Sequence, residues 1–153
     1  MIVYHGWKLY SHRNFDVQFE TLVNAAEFDK RKRLQSDSLT GSEKLLKAIR
    51  YLITDAIPQD PARAEYRQGN TLGTTHRHWF RAKFGNGRYR LFFRYNLQTK
   101  IIIYAWVNDA STLRTYGSKS DAYNVFKLML QRGNPPDDWD ALLAASRSMQ
   151  IST

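Results

Sequence analysis

Cysteine is absent from all 153 residues, which excludes disulfides and thiolate metal sites and fits a reducing compartment. No apolar run approaches the roughly 20 residues that span a bilayer. Residues 1–9 lack a charged stretch leading into an apolar core, so no secretory signal is expected and the cytoplasm is the simplest address. The familiar catalytic signatures are missing as well: there is no G-x-S-x-G, no Walker loop and no H-E-x-x-H. Internal repeats and low-complexity segments are lacking. Acids are scarce, 14 against 23 Lys and Arg, which leaves a formal net charge of +9. Such a chain attracts polyanions: nucleic acid, an acidic protein or an anionic membrane face.

What is present is a folding composition. Hydrophobic residues make up 42% of the chain and aromatics 14%, too many for disorder. A chain of this length buries roughly 70% of its unfolded surface as one domain, residues 1–153. The positive charge is concentrated. Residues 77–119 hold nine Lys and Arg (Arg77, Arg81, Lys83, Arg88, Arg90, Arg94, Lys100, Arg114 and Lys119) and one acid, Asp109. The rest is nearly neutral, with 14 basic and 13 acidic residues. A membrane-surface role would call for a basic amphipathic helix, whereas these charges alternate with apolar residues as strands do, so no membrane partner is expected.

Taken in order, residues 6–11 read as a short first strand with Trp7 and Leu9 on one side. Phe15, Phe19, Leu22, Val23 and Ala26 mark one face of a helix that ends in the basic run 30–33, suited to the negative end of its dipole. A polar loop, 35–41, follows, and Thr40 with Glu43 has capping-box spacing. Leu45, Leu46, Ile49, Leu52, Ile53, Ala56 and Ile57 then form a second helix, stopped by Pro58, and the two helices should make a hairpin. Residues 65–68 are a candidate edge strand.

Residues 79–107 resolve into three strands. Phe80, Ala82 and Phe84 alternate with Trp79, Arg81 and Lys83; Gly85-Asn86-Gly87 is a hairpin turn; Tyr89, Leu91, Phe93 and Tyr95 then alternate with Arg88, Arg90, Phe92 and Arg94. The third strand, 100–107, is apolar on both faces, Ile101, Ile103, Ala105 and Val107 against Ile102, Tyr104 and Trp106, which marks it as central. Residues 108–117 form a loop. A third helix begins near Asp121 with Ala122, Val125, Phe126, Met129 and Leu130 on one face and stops at Gly133. Asp137 or Asp138 caps a short last helix around Trp139, Leu142 and Leu143, and the final residues are expected to fray. The expected fold is α+β, an antiparallel sheet with an N-terminal helical hairpin on one face and C-terminal helices, its other face partly open and basic.

On that face Arg81, Lys83, Arg88, Arg90 and Arg94 project together. Like charges opposed in a sheet repel, and a polyanion compensates them. Interleaved Trp79, Phe92 and Tyr104 are candidates for stacking on unpaired bases, with Arg77 and Lys119 as flanking phosphate contacts. The competing reading pairs these cations with the acidic C-terminal segment and helix ends. His76 and His78 sit at strand spacing with no third ligand in view, so they read as solvated histidines and no metal site is expected; His5 and His12 read as packing or surface residues. Among the chemistries open to an Arg/Lys/Tyr set is RNA cleavage, while Tyr116 on its own reads equally as a core residue. RNA carries its own nucleophile, the 2′-OH, and needs a proton acceptor, cations for the phosphorane and an acid for the leaving oxygen. No cofactor is called for.

The segment FGNGRYRLFFRYNLQTKIII, followed by W-x-N-D-x-x-T-L-R-T-Y-G and K-x-D-A-Y-x-V-F, resembles the YhaV family of bacterial type II toxin–antitoxin systems, within the RelE/ParE toxin superfamily. The opening G-W-x-L-Y and the terminal R-G-N-P-P-x-D-W extend the resemblance over nearly the whole chain. It implies an endoribonuclease toxin (mRNA interferase) that cleaves mRNA, met on the ribosome, without metal and so inhibits translation and growth. It also implies a neutralising PrlF-type antitoxin, itself similar to AbrB-like DNA-binding proteins, and a toxin–antitoxin complex that binds operator DNA. By motif, Arg90 falls on the transition-state arginine, Arg81 and Lys83 on the basic pair of the preceding strand, and Arg114 and Tyr116 on the later arginine and tyrosine. Asp109, with no counterpart in RelE, is a candidate to orient Arg114 or to move a proton. The alternatives are a ParE-like toxin that inhibits gyrase and a non-catalytic nucleic-acid-binding module.

Overall fold

In the computed structural model, which describes residues 1–33 and 38–150, every residue of the strand Ile101–Val107 is buried. A strand that is apolar on both faces has to be covered on both, and the rest of the chain supplies the two covers. The elements are β1 (Val3–Tyr4), β2 (Trp7–His12), α1 (Arg13–Lys32), α2 (Gly41–Tyr51), a π-helical turn (Leu52–Ala56) running into α3 (Ile57–Gln59), and 3-10 turns at Ala64–Tyr66 and Thr74–His76. Then come β3 (Phe80–Phe84), β4 (Tyr89–Asn96), β5 (Ile101–Val107), α4 (Ala122–Gln131), α5 (Trp139–Ala144) and β6 (Ser146–Ser148). The sheet runs β1-β2-β5-β4-β3, with β6 also on β2. β3, β4 and β5 are antiparallel neighbours, but β2 lies parallel to β5, Leu9 opposite Ile102. The fold is α+β as expected, and the sheet is antiparallel except where β2 meets β5, because the long helical connection after β2 provides the crossover a parallel pair needs.

One cover is the expected helical pair. Phe15 from α1, Ile49 from α2 and Ile53 from the π turn pack with Leu9, Leu91, Phe93, Ile102 and Tyr104. The other cover corrects the expectation of an open face. Tyr123, Phe126 and Leu130 from α4 and Leu142 from α5 pack with Trp79, Phe92, Ile103 and Trp106. Phe92 stacks on Phe126 with ring centroids 4.2 Å apart. Trp79 and Phe92 are thus core residues and not base-stacking platforms. Tyr104 lies on the opposite side of the sheet, fully buried, its hydroxyl donating to the Ile53 carbonyl.

The end of β5 also departs from simple alternation. Phe92 pairs with Trp106 but Phe93 with Tyr104, so Ala105 is an extra residue that turns Trp106 toward Phe126 and Val107 toward α1. Local signals hold at most helix ends. Thr40 and Glu43 form the capping box, and Asp121 and Asp138 cap α4 and α5. Pro58 lies in the first turn of α3. The loop expected over 35–41 lies in part outside the described residues. Residues 65–68 make a single bridge, Arg67 to Phe80, in place of a strand. Beyond α5, residues 146–148 add β6 to β2, Ser146 opposite His12; of the tail expected to fray, residues 151–153 lie outside the described residues.

The β3–β4 turn is fixed by backbone. Gly85, Asn86 and Gly87 have φ of +59°, +58° and +76°, and a Cβ on Gly85 would stand 2.6 Å from Tyr89 Cδ2 and 2.7 Å from Leu45 Cδ2. Two stability changes follow. Phe92→Ala should cost about 3–5 kcal/mol in urea denaturation; unchanged stability would return Phe92 to the surface. Gly85→Ala should cost more than about 1 kcal/mol, since both its backbone conformation and its space exclude a methyl group.

Candidate active site

The hairpin register places Lys83 opposite Arg90 and Arg81 opposite Phe92, so cations crowd one corner of the sheet. The group that gathers them comes from the covering helix. Tyr123, in the first turn of α4, receives the Nε–H of Arg81 and the Nε–H of Arg90 on its hydroxyl oxygen, each at 2.9 Å. With two donors on that oxygen, its own O–H is what Tyr123 has left to offer.

Arg90 is only 4% exposed, as is Tyr123. Its Nη1 donates to the carbonyls of Gly87 at 2.7 Å and Tyr89 at 3.1 Å. Among the described residues the buried side-chain nitrogens and oxygens without a partner are Arg50 Nε and Ser148 Oγ. Among the described residues Arg90 Nη2 has no acceptor and is not one of these buried atoms. Arg81 is half-buried, with Nη1 donating to the Glu65 carbonyl at 2.6 Å.

A third guanidinium completes the group. Arg114 Cζ lies 4.8 Å from the Tyr123 ring centroid and 3.8 Å from that of Tyr116, two contacts favoured by cation–π attraction. Asp121 holds it there through Arg114 Nη1 at 2.6 Å, while also capping α4 by accepting from Tyr123 N–H at 3.1 Å. The loop is tied to β4 by Arg114 N–H donating to Arg88 O at 3.0 Å. Asn108 braces the same strand, accepting from Arg90 N–H at 2.7 Å and donating to Arg88 O at 3.1 Å.

Arg81, Arg90, Arg114 and Tyr116 of the expected set therefore meet around Tyr123, with Lys83 exposed on the rim. Tyr116, 84% exposed, contributes its ring. Arg88 and Lys119 are exposed nearby in sequence. Arg77 is exposed and donates to Asn70 Oδ1 at 2.7 Å, outside the cluster. Arg94 leaves the basic face: it lies 5.5 Å from the Trp79 ring and 5.4 Å from the Trp139 ring and donates to the Asp137 carbonyl, so for this residue the pairing with the C-terminal segment wins. Asp109 does not orient Arg114. Its carboxylate accepts from Ser111, Thr112 and Gln18; burial pushes the carboxyl up, but these hydrogen bonds outweigh it and hold it below its ordinary range. His5 pairs with Asp55, and His12 caps α1.

Sequence reasoning missed Tyr123, Asp121 and Asn108. Tyr123, Phe126 and Leu130 share one helical face, and a tyrosine on a buried face needs a hydroxyl partner, which is the signal that could have pointed to it. Beside the cluster, a concavity of about 550 Å³ is lined by Arg63, Arg67, Arg81 and Lys83, with Glu65 and Tyr66.

A family described as "Toxin with endonuclease activity, of toxin-antitoxin system", Toxin_YhaV, matches residues 9–147. The chain is 45% identical over 139 residues to the "Ribonuclease toxin YhaV" of Escherichia coli strain K12, covering 90% of each chain. It has the same identity and coverage with "Toxin YhaV" of Escherichia coli O6:H1 and of O157:H7. No solved structure matches the chain.

The Arg114–Asp121 pair is nearly buried, with side chains 14% and 3% exposed. Asp121→Asn should lower stability by about 3 kcal/mol and speed solvent exchange of the Arg114 side-chain N–H groups, measured by ¹⁵N NMR. Asp109→Asn should leave that exchange unchanged; the reverse pattern would make Asp109 the orienting acid.

Proposed function

Because the chain belongs to the YhaV family of toxins with endonuclease activity, we propose that it is a metal-independent endoribonuclease that cleaves mRNA by attack of the 2′-OH on the adjacent phosphate. The observation that carries this reading is the convergence of Arg81 and Arg90 on one tyrosine hydroxyl, with Arg114 over the same ring. The 2′-oxygen bonds to phosphorus as the bond to the 5′-oxygen breaks, leaving a 2′,3′-cyclic phosphate and a 5′-OH. Arg90 through Nη2, Arg81 and Arg114 stabilise the phosphorane, work that preorganised donors do without a metal. Tyr123, whose oxygen is already occupied by two donors, gives its proton to the leaving 5′-oxygen. Arginines stay protonated, so the proton of the 2′-OH goes to an ionisable group at the rim in its deprotonated form, the neutral amine of Lys83 or the phenolate of Tyr116, which becomes protonated as the 2′-oxygen bonds to phosphorus.

The basic concavity beside β3 suits the flanking phosphates, with Arg88 and Lys119 as further contacts and the open face of Tyr116 available to a base. This activity fits a cytoplasmic toxin that meets mRNA on the ribosome and stops translation and growth. A PrlF-type antitoxin that covers the cations would neutralise it, and the joint complex would bind operator DNA through the antitoxin. Within the described residues no helix is long and apolar enough to cross a membrane.

Purified protein should cut mRNA in EDTA, with or without ribosomes setting the rate, and the new ends should carry 2′,3′-cyclic phosphate. Replacing the scissile nucleotide's 2′-OH by hydrogen should abolish the cut. Arg90→Ala should lose about 10²–10³-fold in rate and Tyr123→Phe about 10²–10⁴-fold, each with the fold retained by circular dichroism. Intact RNA together with inhibited gyrase would replace this reading, and cleavage that stops in EDTA would remove the metal-free mechanism.

A further inference from the structure

We propose that His76, His78 and Asp137 form a binding site for a divalent transition-metal ion of the Zn²⁺ class, pinning the segment between α4 and α5 to the turn before β3. The fold supplies the third ligand that the His-x-His pair lacks in sequence, from 61 residues beyond His76. One ring nitrogen each of His76 and His78 and one carboxylate oxygen of Asp137 lie within 4.8 Å of one another, and no other group of three such residues is found among the described residues. Two imidazoles and a carboxylate are a donor set for Zn²⁺, which takes them at about 2.0–2.1 Å in a tetrahedron and completes its shell with water.

The hydrogen bonding at Asp137 points the same way. A single carboxylate oxygen, Oδ1, faces His76 Nδ1 at 3.1 Å, His78 Nε2 at 2.9 Å and Trp79 Nε1 at 2.8 Å. Trp79 N–H is a donor in every state, and with both facing imidazole nitrogens protonated as well three donors would meet two lone-pair directions. A metal ion relieves the crowding: each imidazole carries its proton on the far nitrogen and coordinates through the near one, while Trp79 N–H remains on the carboxylate as the outer partner that orients it. The side chains are 15%, 37% and 38% exposed, partly buried yet reachable from solvent. Arg94, bonded to the Asp137 carbonyl, is the neighbouring cation and works against a dication, which sets a moderate affinity. The site shares no residue with the Arg–Tyr cluster and does not depend on the RNA-cleavage reading.

The test uses untagged, EDTA-stripped full-length protein titrated with ZnCl₂ by calorimetry and with Co²⁺ by visible absorption. One equivalent of Zn²⁺ should bind, Co²⁺ should give the intense d–d bands of a four-coordinate site, and the melting temperature should rise with Zn²⁺ concentration. His76→Ala and His78→Ala should each weaken binding by more than the roughly 10–100-fold typical of losing an outer partner. His5→Ala, which removes the separate His5–Asp55 pair, should leave it unchanged. Absence of saturable binding to the wild-type protein overturns the proposal whatever the variants do, as does binding that survives both His76→Ala and His78→Ala or disappears with His5→Ala.

Discussion

Two guanidinium groups donating to one tyrosine oxygen is the arrangement on which the rest of this structure depends. Arg81 and Arg90 stand on neighbouring strands, and Lys83 directly faces Arg90, so the sheet corner is self-repelling. A nearly buried guanidinium is costly unless its N–H groups find acceptors, and Tyr123 Oη, Gly87 O and Tyr89 O provide them for Arg90. The tyrosine can serve only because α4 is anchored. Phe126 stacks on Phe92 and Trp106, and Asp121 both starts the helix and holds Arg114 over its ring. Packing of the second sheet face and assembly of the cation cluster are thus one event.

The same packing explains the shape of the site's edge. The extra residue at Ala105 rotates Trp106 onto Phe126, and two positions later Asn108 emerges beside β4, where its amide binds the backbone of Arg88 and Arg90. From that anchor the loop carries Arg114 back over Tyr123. The left-handed turn at 85–87 sets the strand register that opposes Lys83 to Arg90.

Much of this was legible from residues alone. The helical stripes, the Thr40–Glu43 capping box, the Gly-Asn-Gly turn and the buried character of β5 all rest on local periodicity or backbone chemistry, which a sequence displays directly. The cover of the second face was not. Alternation such as Arg90, Phe92, Arg94 reads as a solvated basic face with interspersed aromatics, yet arginine can pack against tryptophans, as Arg94 does with Trp79 and Trp139, while Phe92 enters a core. Only β5, apolar on both sides, signalled that a second layer was required. At the site, Arg81, Lys83, Arg90, Arg114 and Tyr116 were reached through charge pattern and family resemblance. Tyr123 was hidden because it sits in an apolar helical stripe, and Asp121 because it reads as a helix cap. Pairings across long separations, such as Arg81 with Tyr123 and His78 with Asp137, leave no periodic trace.

The central claim, that the Tyr123 hydroxyl, whose oxygen accepts hydrogen bonds from Arg81 and Arg90, protonates the leaving oxygen, is tested most directly by changing that oxygen. In an RNA whose scissile 5′-bridging oxygen is replaced by sulfur, the leaving thiolate needs no acid. The account predicts that Tyr123→Phe cleaves this substrate within about tenfold of the wild-type rate, far less than its deficit on ordinary RNA. A deficit equally large on both substrates would contradict it and reduce Tyr123 to a strut for the arginines.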